Sequence, residues 1–136
     1  MIKPINRDTT FLSQRAIKAN KSDQQVVTNL LDTLKFHKDH CVGMAANMIG
    51  VNKRIIVVQM GPLAVPMINP IITKKVAAFT TKEGCLSLLG ERPTTRYKQI
   101  EVTYLDQKFI PHKQQFSDWI AQIIQHEVDH CEGILI

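Results

Sequence analysis

The amino-acid sequence predicts an α+β fold, with an N-terminal helix, antiparallel β-sheets and a C-terminal helix that binds a metal. Two amphipathic helical patterns lie towards the two ends of the chain, and segments rich in β-branched residues lie between them. This order is typical of α+β proteins, whereas alternating strands and helices would indicate βαβ units. A length of 136 residues fits one core, so a single domain over 1–136 is predicted.

The first helix is predicted at about residues 23–37, because apolar side chains recur there at helical spacing. These apolar residues are Val26, Val27, Leu30, Leu31 and Leu34. Ser22 and Gln25 lie three positions apart, match a capping box and predict the start of the helix.

Strands are predicted in three segments between the helices. Residues 54–59 are apolar and β-branched, and 67–73 are similar but contain Pro70, which predicts a bend or an edge strand. Apolar and polar residues mostly alternate over 100–105, as in a half-buried strand. Turn-forming residues follow directly and predict a hairpin that continues into 109–110.

The C-terminal helix is predicted to begin after Ser117 or Asp118, either of which can act as N-cap, and to end at Gly133. Its apolar residues recur at helical spacing and are Ile120, Ile123, Ile124 and Val128. This face is expected to pack on the sheet.

The composition excludes several classes of protein. Hydrophobic residues make up 44% of the chain and charged residues 21%, which indicates a folded globule rather than a disordered or fibrous protein. No apolar run reaches the roughly 20 residues that cross a bilayer, and the first residues lack a secretion signal. We therefore expect a cytoplasmic protein without a membrane partner. Its three cysteines do not suggest a disulfide framework, which leaves thiols available for a metal.

The net charge of +5 is unevenly distributed, because all 17 Lys and Arg residues lie at or before Lys113. A basic surface is compatible with RNA, but the sequence contains no run of five basic residues and no interleaved aromatic residues. Specific nucleic-acid binding is therefore not predicted, and the basic residues are interpreted as a solvated surface.

The strongest chemical signal is an H-E-x-x-H motif in the C-terminal helix, at residues 126–130. A spacing of four places His126 and His130 on one helical face, where they can bind one metal ion. Glu127 lies beside them and can take a proton from a water molecule. An accidental, solvated helix face is the alternative interpretation.

A third ligand is required, because a catalytic site of the zinc type takes three protein ligands and one water. Only six residues follow His130, and Glu132 points about 200° around the helix, so the third ligand is expected upstream. Gly84 favours Cys85, since a glycine lets the backbone approach a metal closely. Spacing alone leaves five candidates: His37, His40, Cys41, Cys85 and His112.

Two motifs, EGCLS at 83–87 and QHEVDH at 125–130, resemble those of the peptide deformylases. These enzymes remove the formyl group from the N-terminal formylmethionine of new polypeptides. The resemblance implies one divalent metal, most often Fe(II) and replaceable by nickel, cobalt or zinc, bound by Cys85, His126 and His130. It also implies an N-formyl peptide as substrate and transient contact with the ribosome or the nascent chain.

The first family motif, G-x-G-L-A-A-x-Q, is recognisable but altered over residues 41–48, which read CVGMAANM. Cys41 and Met44 are interpreted as packing changes, a buried thiol and a flexible core side chain. Met48 replaces the family's glutamine, which donates a hydrogen bond to the formyl oxygen alongside the backbone amide that here belongs to Leu86. A thioether cannot donate that bond, so slow, redirected or lost deformylation are all open.

By the same resemblance, Glu127 is the general acid and base. The implied substrate-binding residues are Val42, Gly43, Met48, Gly84, Arg92, Trp119, Gln122 and Ile123. The first two would align the peptide backbone as an added strand, and the last three would line the pocket for the substrate methionine. Gln122 is polar for such a pocket, and a side chain that points to solvent at the rim is the alternative. Glu83 and Arg96 resemble a pair that braces the metal loop, or are ordinary surface charges.

Three functions are compatible with these residues. The leading hypothesis is a metal-dependent hydrolase that deformylates nascent polypeptides, with reduced activity because of Met48. The second is a hydrolase of another small N-acyl substrate, whose oxyanion needs only the metal and the Leu86 amide. The third is a weak or inactive relative that binds formyl-peptides.

Overall fold

The computed structural model describes residues 1–135 and contains three α-helices, two short 3-10 helices (Lys21–Asp23 and Ala46–Ile49) and five strands within them. The α-helices are Thr9–Leu12 (α1), Gln24–Phe36 (α2) and Asp118–Cys131 (α3). The strands are Gly43–Ala45 (β1), Ile55–Met60 (β2), Leu63–Cys85 (β3), Leu88–Leu105 (β4) and Pro111–Ser117 (β5). The predicted α+β class is confirmed, although α1 and β1 were not predicted.

The five strands form one antiparallel sheet in the order β1-β2-β3-β4-β5. β3 and β4 are 23 and 18 residues long, much longer than the segments predicted for them. Their register shifts between Ile68 and Ile71, next to Pro70, which agrees with the predicted bend. Pairing with β2 covers only residues 63–68 of β3, and residues 71–85 pair with β4 alone, so Pro70 lies where β3 becomes an edge strand, which agrees with the second alternative as well.

Helix α2 matches the predicted first helix, but its start is stabilised differently. The capping box predicted for Ser22 and Gln25 is wrong, because the box forms at Asn20 and Asp23. The Asn20 side chain accepts from the Ser22 amide at 2.9 Å, and Asp23 Oδ2 accepts from the Asn20 amide at 2.8 Å. Asn and Asp side-chain oxygens accept readily from nearby backbone amides, and the 3-10 helix Lys21–Asp23 that they cap precedes α2.

The core lies on both faces of β2, which explains its uninterrupted apolar sequence. Ile56 and Val58 belong to the apolar cluster that packs against α3, and Ile55 and Val57 to the cluster that packs against α2. All four side chains are fully buried. The sheet is therefore held between two helices, and α3 is fixed against one face. No helix within residues 1–135 is both long enough and apolar enough to span a membrane.

Candidate metal centre and peptide cavity

Helix α3 carries three of the predicted site residues on its buried face. His126, Glu127 and His130 are 8%, 4% and 0% exposed, which is rare for titratable side chains without a function or a partner. The helix starts after Ser117 and is followed by Gly133 in a left-handed conformation, as predicted. The H-E-x-x-H motif therefore lies in the core and not on a solvated helix face.

Strand β3 ends at Cys85, which brings the thiol next to α3. Cys85 Sγ lies 3.2 Å from His130 Nε2. One possible ligand atom from each of Cys85, His126 and His130 lies within 4.8 Å of the other two. Within residues 1–135, no other group of three or more His, Cys, Asp or Glu lies close enough to share a metal ion. The remaining candidates for the third ligand lie outside this cluster: His37, His40, Cys41 and His112.

Glu83 orients the His126 ring from the side away from Cys85. Glu83 Oε1 accepts a hydrogen bond from His126 Nδ1 at 2.8 Å, and Arg96 donates to both carboxylate oxygens at 2.7 and 2.9 Å. Burial opposes ionisation, but hydrogen bonds from His126, Arg96 and Gln122 lower the pKa of Glu83 to about 2. Burial opposes protonation, but hydrogen bonds with Cys85 and Glu83 raise the pKa of His126 to about 10, so a metal that binds Nε2 has to displace a proton. Glu83 and Arg96 thus form a brace and are not surface charges.

The donor set fits a divalent transition metal. One thiolate and two imidazoles are ligands that iron, cobalt, nickel and zinc all accept. Burial, together with the nearby charges of His126 and Arg96, lowers the pKa of His130 to about 3. Its imidazole is therefore neutral, as a metal ligand must be.

Glu127 lies beside the three potential ligands with one oxygen available for proton transfer. Its Oε1 is buried and has no hydrogen-bond partner within the described part of the chain. Burial is the main cause that raises the pKa of Glu127 to about 7. A carboxylate with a pKa near the working pH can both accept a proton and return it.

A cavity of about 610 Å³ opens onto the cluster, within the usual size range of small-ligand sites. Glu127 and Leu86 line it. So do seven of the eight predicted substrate-binding residues: Val42, Gly43, Met48, Gly84, Trp119, Gln122 and Ile123. Arg92 lies outside this lining and donates to the Leu89 carbonyl at 3.0 Å. Its substrate role stays a prediction.

Several lining residues had no predicted role: Lys82, Leu88, Leu89, Gly90 and Glu91. His40 also lines the cavity, but it was predicted only as a candidate metal ligand. The one available signal was the apolar pair Leu88-Leu89 directly after the EGCLS motif, in a segment that carries a candidate ligand. Leu89 is 92% exposed, so it projects from the cavity mouth rather than packing in the core.

Gln122 does not point to solvent, so that alternative interpretation is wrong. Its Nε2 donates to Glu83 Oε2 at 2.9 Å while the residue also lines the cavity. The Glu83 carboxylate is an acceptor within reach of α3, and it draws the amide inward.

Met48 is 1% exposed and faces the cavity from the segment after β1. Its Sδ accepts a hydrogen bond from the Ala45 amide at 3.5 Å. The side chain is therefore fixed in place, but it offers no donor to a ligand in the cavity.

Gly43 lets α3 approach β1 closely. A Cβ at this position would lie 2.8 Å from Ile123 Cγ2 and 2.9 Å from Glu127 Oε2. We expect Gly43→Ala to displace the Glu127 carboxylate and to lower turnover about 100-fold, the cost of misplacing a reacting group by about 1 Å. Steady-state kinetics, with metal content as control, check this prediction. Unchanged turnover in a variant that holds its full metal would contradict it.

The three cysteines are expected to differ in reactivity. Burial raises the pKa of the Cys41 and Cys131 thiols to about 12, so neither thiol is appreciably ionised at pH 8. Cys41 and Cys85 are both half-buried and both line the cavity, so the raised thiol pKa of Cys41, and not its access, is what protects it. In chelator-treated protein, iodoacetamide is therefore expected to label Cys85 alone, and Ni(II) is expected to protect it. Peptide mass spectrometry checks this. Equal labelling of Cys85 with and without Ni(II) would contradict its role as a ligand.

A buried H-E-x-x-H helix beside a cysteine thiol, at the base of a peptide-sized cavity, defines the class of mononuclear metal-dependent hydrolases. The model of the polypeptide deformylase family matches residues 3–136. The chain therefore belongs to the polypeptide deformylase family.

Individual relatives agree with this assignment. A peptide deformylase of Clostridium beijerinckii is 57% identical over 136 residues, which is 100% of both chains. A peptide deformylase of Pelotomaculum thermopropionicum is 41% identical and covers 92% of this chain and 82% of its own length.

Solved structures show the same fold. A class I type b peptide deformylase of Acinetobacter baumannii bound to Met-Ala-Ser has a TM-score of 0.88 at 27% identity, covering 99% of this chain and 97% of its own. The peptide deformylase of Thermotoga maritima has a TM-score of 0.89 at 26% identity, covering 99% and 95%.

Proposed function

We propose that this protein removes the formyl group from the N-terminal formylmethionine of nascent polypeptides by metal-dependent hydrolysis. The observation that carries the proposal is Glu127, a buried carboxylate with a free oxygen, beside a Cys-His-His cluster at the base of the cavity. Such a combination of residues can hydrolyse an amide bond in a substrate that enters the cavity.

Cys85, His126 and His130 would hold the metal, which we propose to be Fe(II), with nickel, cobalt or zinc as replacements. When bound, the metal supplies Lewis-acid chemistry, because it acidifies a water molecule and draws charge from the formyl oxygen. The thiolate reduces the net positive charge of the centre and makes it sensitive to oxidation.

Glu127 carries out the proton transfers of the reaction. Its free Oε1 accepts the proton of the attacking water, and the same carboxyl then protonates the departing amine. A pKa raised to about 7 suits both halves of that cycle near neutral pH. The products are formate and a free N-terminus.

The residues that line the cavity align the substrate. The Leu86 amide stabilises the developing oxyanion, and Val42 and Gly43 align the peptide backbone beside β1. Trp119 and Ile123 contact the substrate methionine, with Trp119 at the rim because it is 58% exposed. The substrate emerges from the ribosome, so transient contact with the ribosome or the nascent chain, in the cytoplasm, is part of this proposal.

Formate release from a formyl-Met-Ala-Ser peptide tests the function, with protein prepared anaerobically and loaded with Fe(II) or Ni(II). Acetyl-Met-Ala-Ser serves as the control for other N-acyl substrates. Formate release with no acetate release supports the proposal. Preference for the acetyl peptide would favour the alternative N-acyl hydrolase, and tight peptide binding without turnover would favour a binding protein.

The choice of Fe(II) predicts that air inactivates the enzyme. Aerobic preparation is expected to lower both iron content and turnover, because an Fe(II) centre with a thiolate ligand is open to oxidation. Parallel anaerobic and aerobic preparations, assayed for iron and for formate release, check this prediction. Equal iron and equal turnover in the two preparations would exclude it, and Ni(II)-loaded protein is the air-stable control.

A further inference from the structure

The Glu83 carboxylate accepts four hydrogen bonds, two at each oxygen. Arg96 binds both oxygens, His126 Nδ1 donates to Oε1 at 2.8 Å and Gln122 Nε2 donates to Oε2 at 2.9 Å. Glu83 is 8% exposed, so water contributes little. His126 and Gln122 therefore bind different oxygens of the Glu83 carboxylate.

Gln122 and His126 reach this carboxylate from the same helical face. They lie four positions apart on α3, which places them one turn apart on that face. His126 belongs to the metal cluster, whereas Gln122 lies in the cavity wall between Trp119 and Ile123. Because the amide nitrogen of Gln122 is directed to Glu83, its carbonyl oxygen is directed away from that carboxylate.

We propose that Gln122 is a positioning residue, which fixes the Glu83 carboxylate and through it the orientation of the His126 ring. The role rests on the proposed function, because it concerns the same metal site. Without the Gln122 donor, Oε2 keeps only its bond to Arg96 Nε, and the carboxylate can rotate towards the cavity. A rotated Glu83 no longer aligns His126 with the other two ligands.

The position of Gln122 in the cavity wall adds a second consequence. A substrate side chain in the pocket contacts the same amide that holds Glu83. The polar side chain of Gln122 in the cavity wall is thus explained by its hydrogen bond to Glu83 and not by recognition of a polar substrate. An apolar residue here would fit methionine at least as well but would loosen the metal site.

The test measures the rate at which Ni(II)-loaded protein loses its metal to excess chelator. Gln122→Met keeps the length of the side chain but removes the donor, and Gln122→Glu puts a second carboxylate next to Glu83. We expect loss about tenfold faster in Gln122→Met, the lower end of effects for outer-shell partners, and faster still in Gln122→Glu. Gln115→Met, on the exposed face of β5, is the matched control and is expected to match the wild type.

Kinetics with the formyl peptide supply the second readout. Gln122→Met is expected to lower kcat without raising KM. Ni(II) loss within twofold of wild type in Gln122→Met, or a raised KM with unchanged Ni(II) loss, would overturn the proposal. If the wild type releases no formate, the proposed function fails, but the Ni(II) measurement still decides the role of Gln122. If Gln122→Glu does not fold, Gln122→Met decides alone.

Discussion

Replacement of Met48 by glutamine is expected to raise the rate of formate release about 100- to 1,000-fold. One preorganised oxyanion donor contributes about 2.7 to 4 kcal/mol to transition-state stabilisation, and Met48 supplies none. The geometry favours the gain, because Met48 Sδ already accepts from the Ala45 amide at 3.5 Å. A glutamine Oε1 can accept the same bond, which leaves its Nε2 to donate to the formyl oxygen.

Met48→Leu is the matched control, since it keeps an apolar side chain of similar size without a donor. Its turnover is expected to equal that of the wild type. Fast wild-type turnover that Met48→Gln does not increase would mean that the Leu86 amide and the metal stabilise the oxyanion sufficiently. Redirected activity would instead show as a gain on formyl peptides with a loss on another N-acyl substrate.

Replacement of Glu127 by glutamine is expected to reduce turnover about 1,000-fold while the metal is retained. General acid–base catalysis contributes about 100- to 10,000-fold, and a glutamine amide can neither accept the water proton nor return it. Metal binding is expected to be spared, because the proposed ligands are Cys85, His126 and His130 and not Glu127.

Two measurements accompany the Glu127→Gln kinetics. Metal content is expected to equal that of the wild type, and the thermal midpoint of the chelator-treated protein at pH 8 is expected not to fall. Burial raises the pKa of Glu127 to about 7, so the ionised carboxylate is disfavoured in the fold at pH 8 and its loss removes that cost. If the fully metal-loaded variant turns over within tenfold of the wild type, Glu127 is not the residue that carries the proton.

Periodicity predicted the elements that bury one regular face. Helix α2 and helix α3 repeat apolar residues at helical spacing, and β2 is buried on both faces, so each was predicted close to its observed bounds. The greater part of the β3–β4 hairpin was not predicted. Residues 74–82 are mostly exposed, and such a segment needs no alternation of apolar and polar residues.

Spacing rules could predict neither the proposed third ligand nor the contact between Gln122 and Glu83. Cys85 lies 45 residues from His130, and Gln122 lies 39 residues from Glu83. Periodic patterns describe neighbours along one element, whereas these contacts depend on how the sheet and α3 pack. The family resemblance implied Cys85, but it did not predict that Gln122 donates to Glu83.

The ion pairs around Arg96 have a consequence for metal exchange. Arg96 joins Glu83 on β3 to Asp129 on α3, with distances of 2.7 and 2.6 Å, and none of these three residues belongs to the metal cluster. The strand and the helix that carry the proposed ligands are thus tied together by protein contacts alone, unlike a zinc finger, which unfolds when its metal leaves. A chelator should therefore empty the centre of a folded molecule, and another ion can then be loaded without refolding.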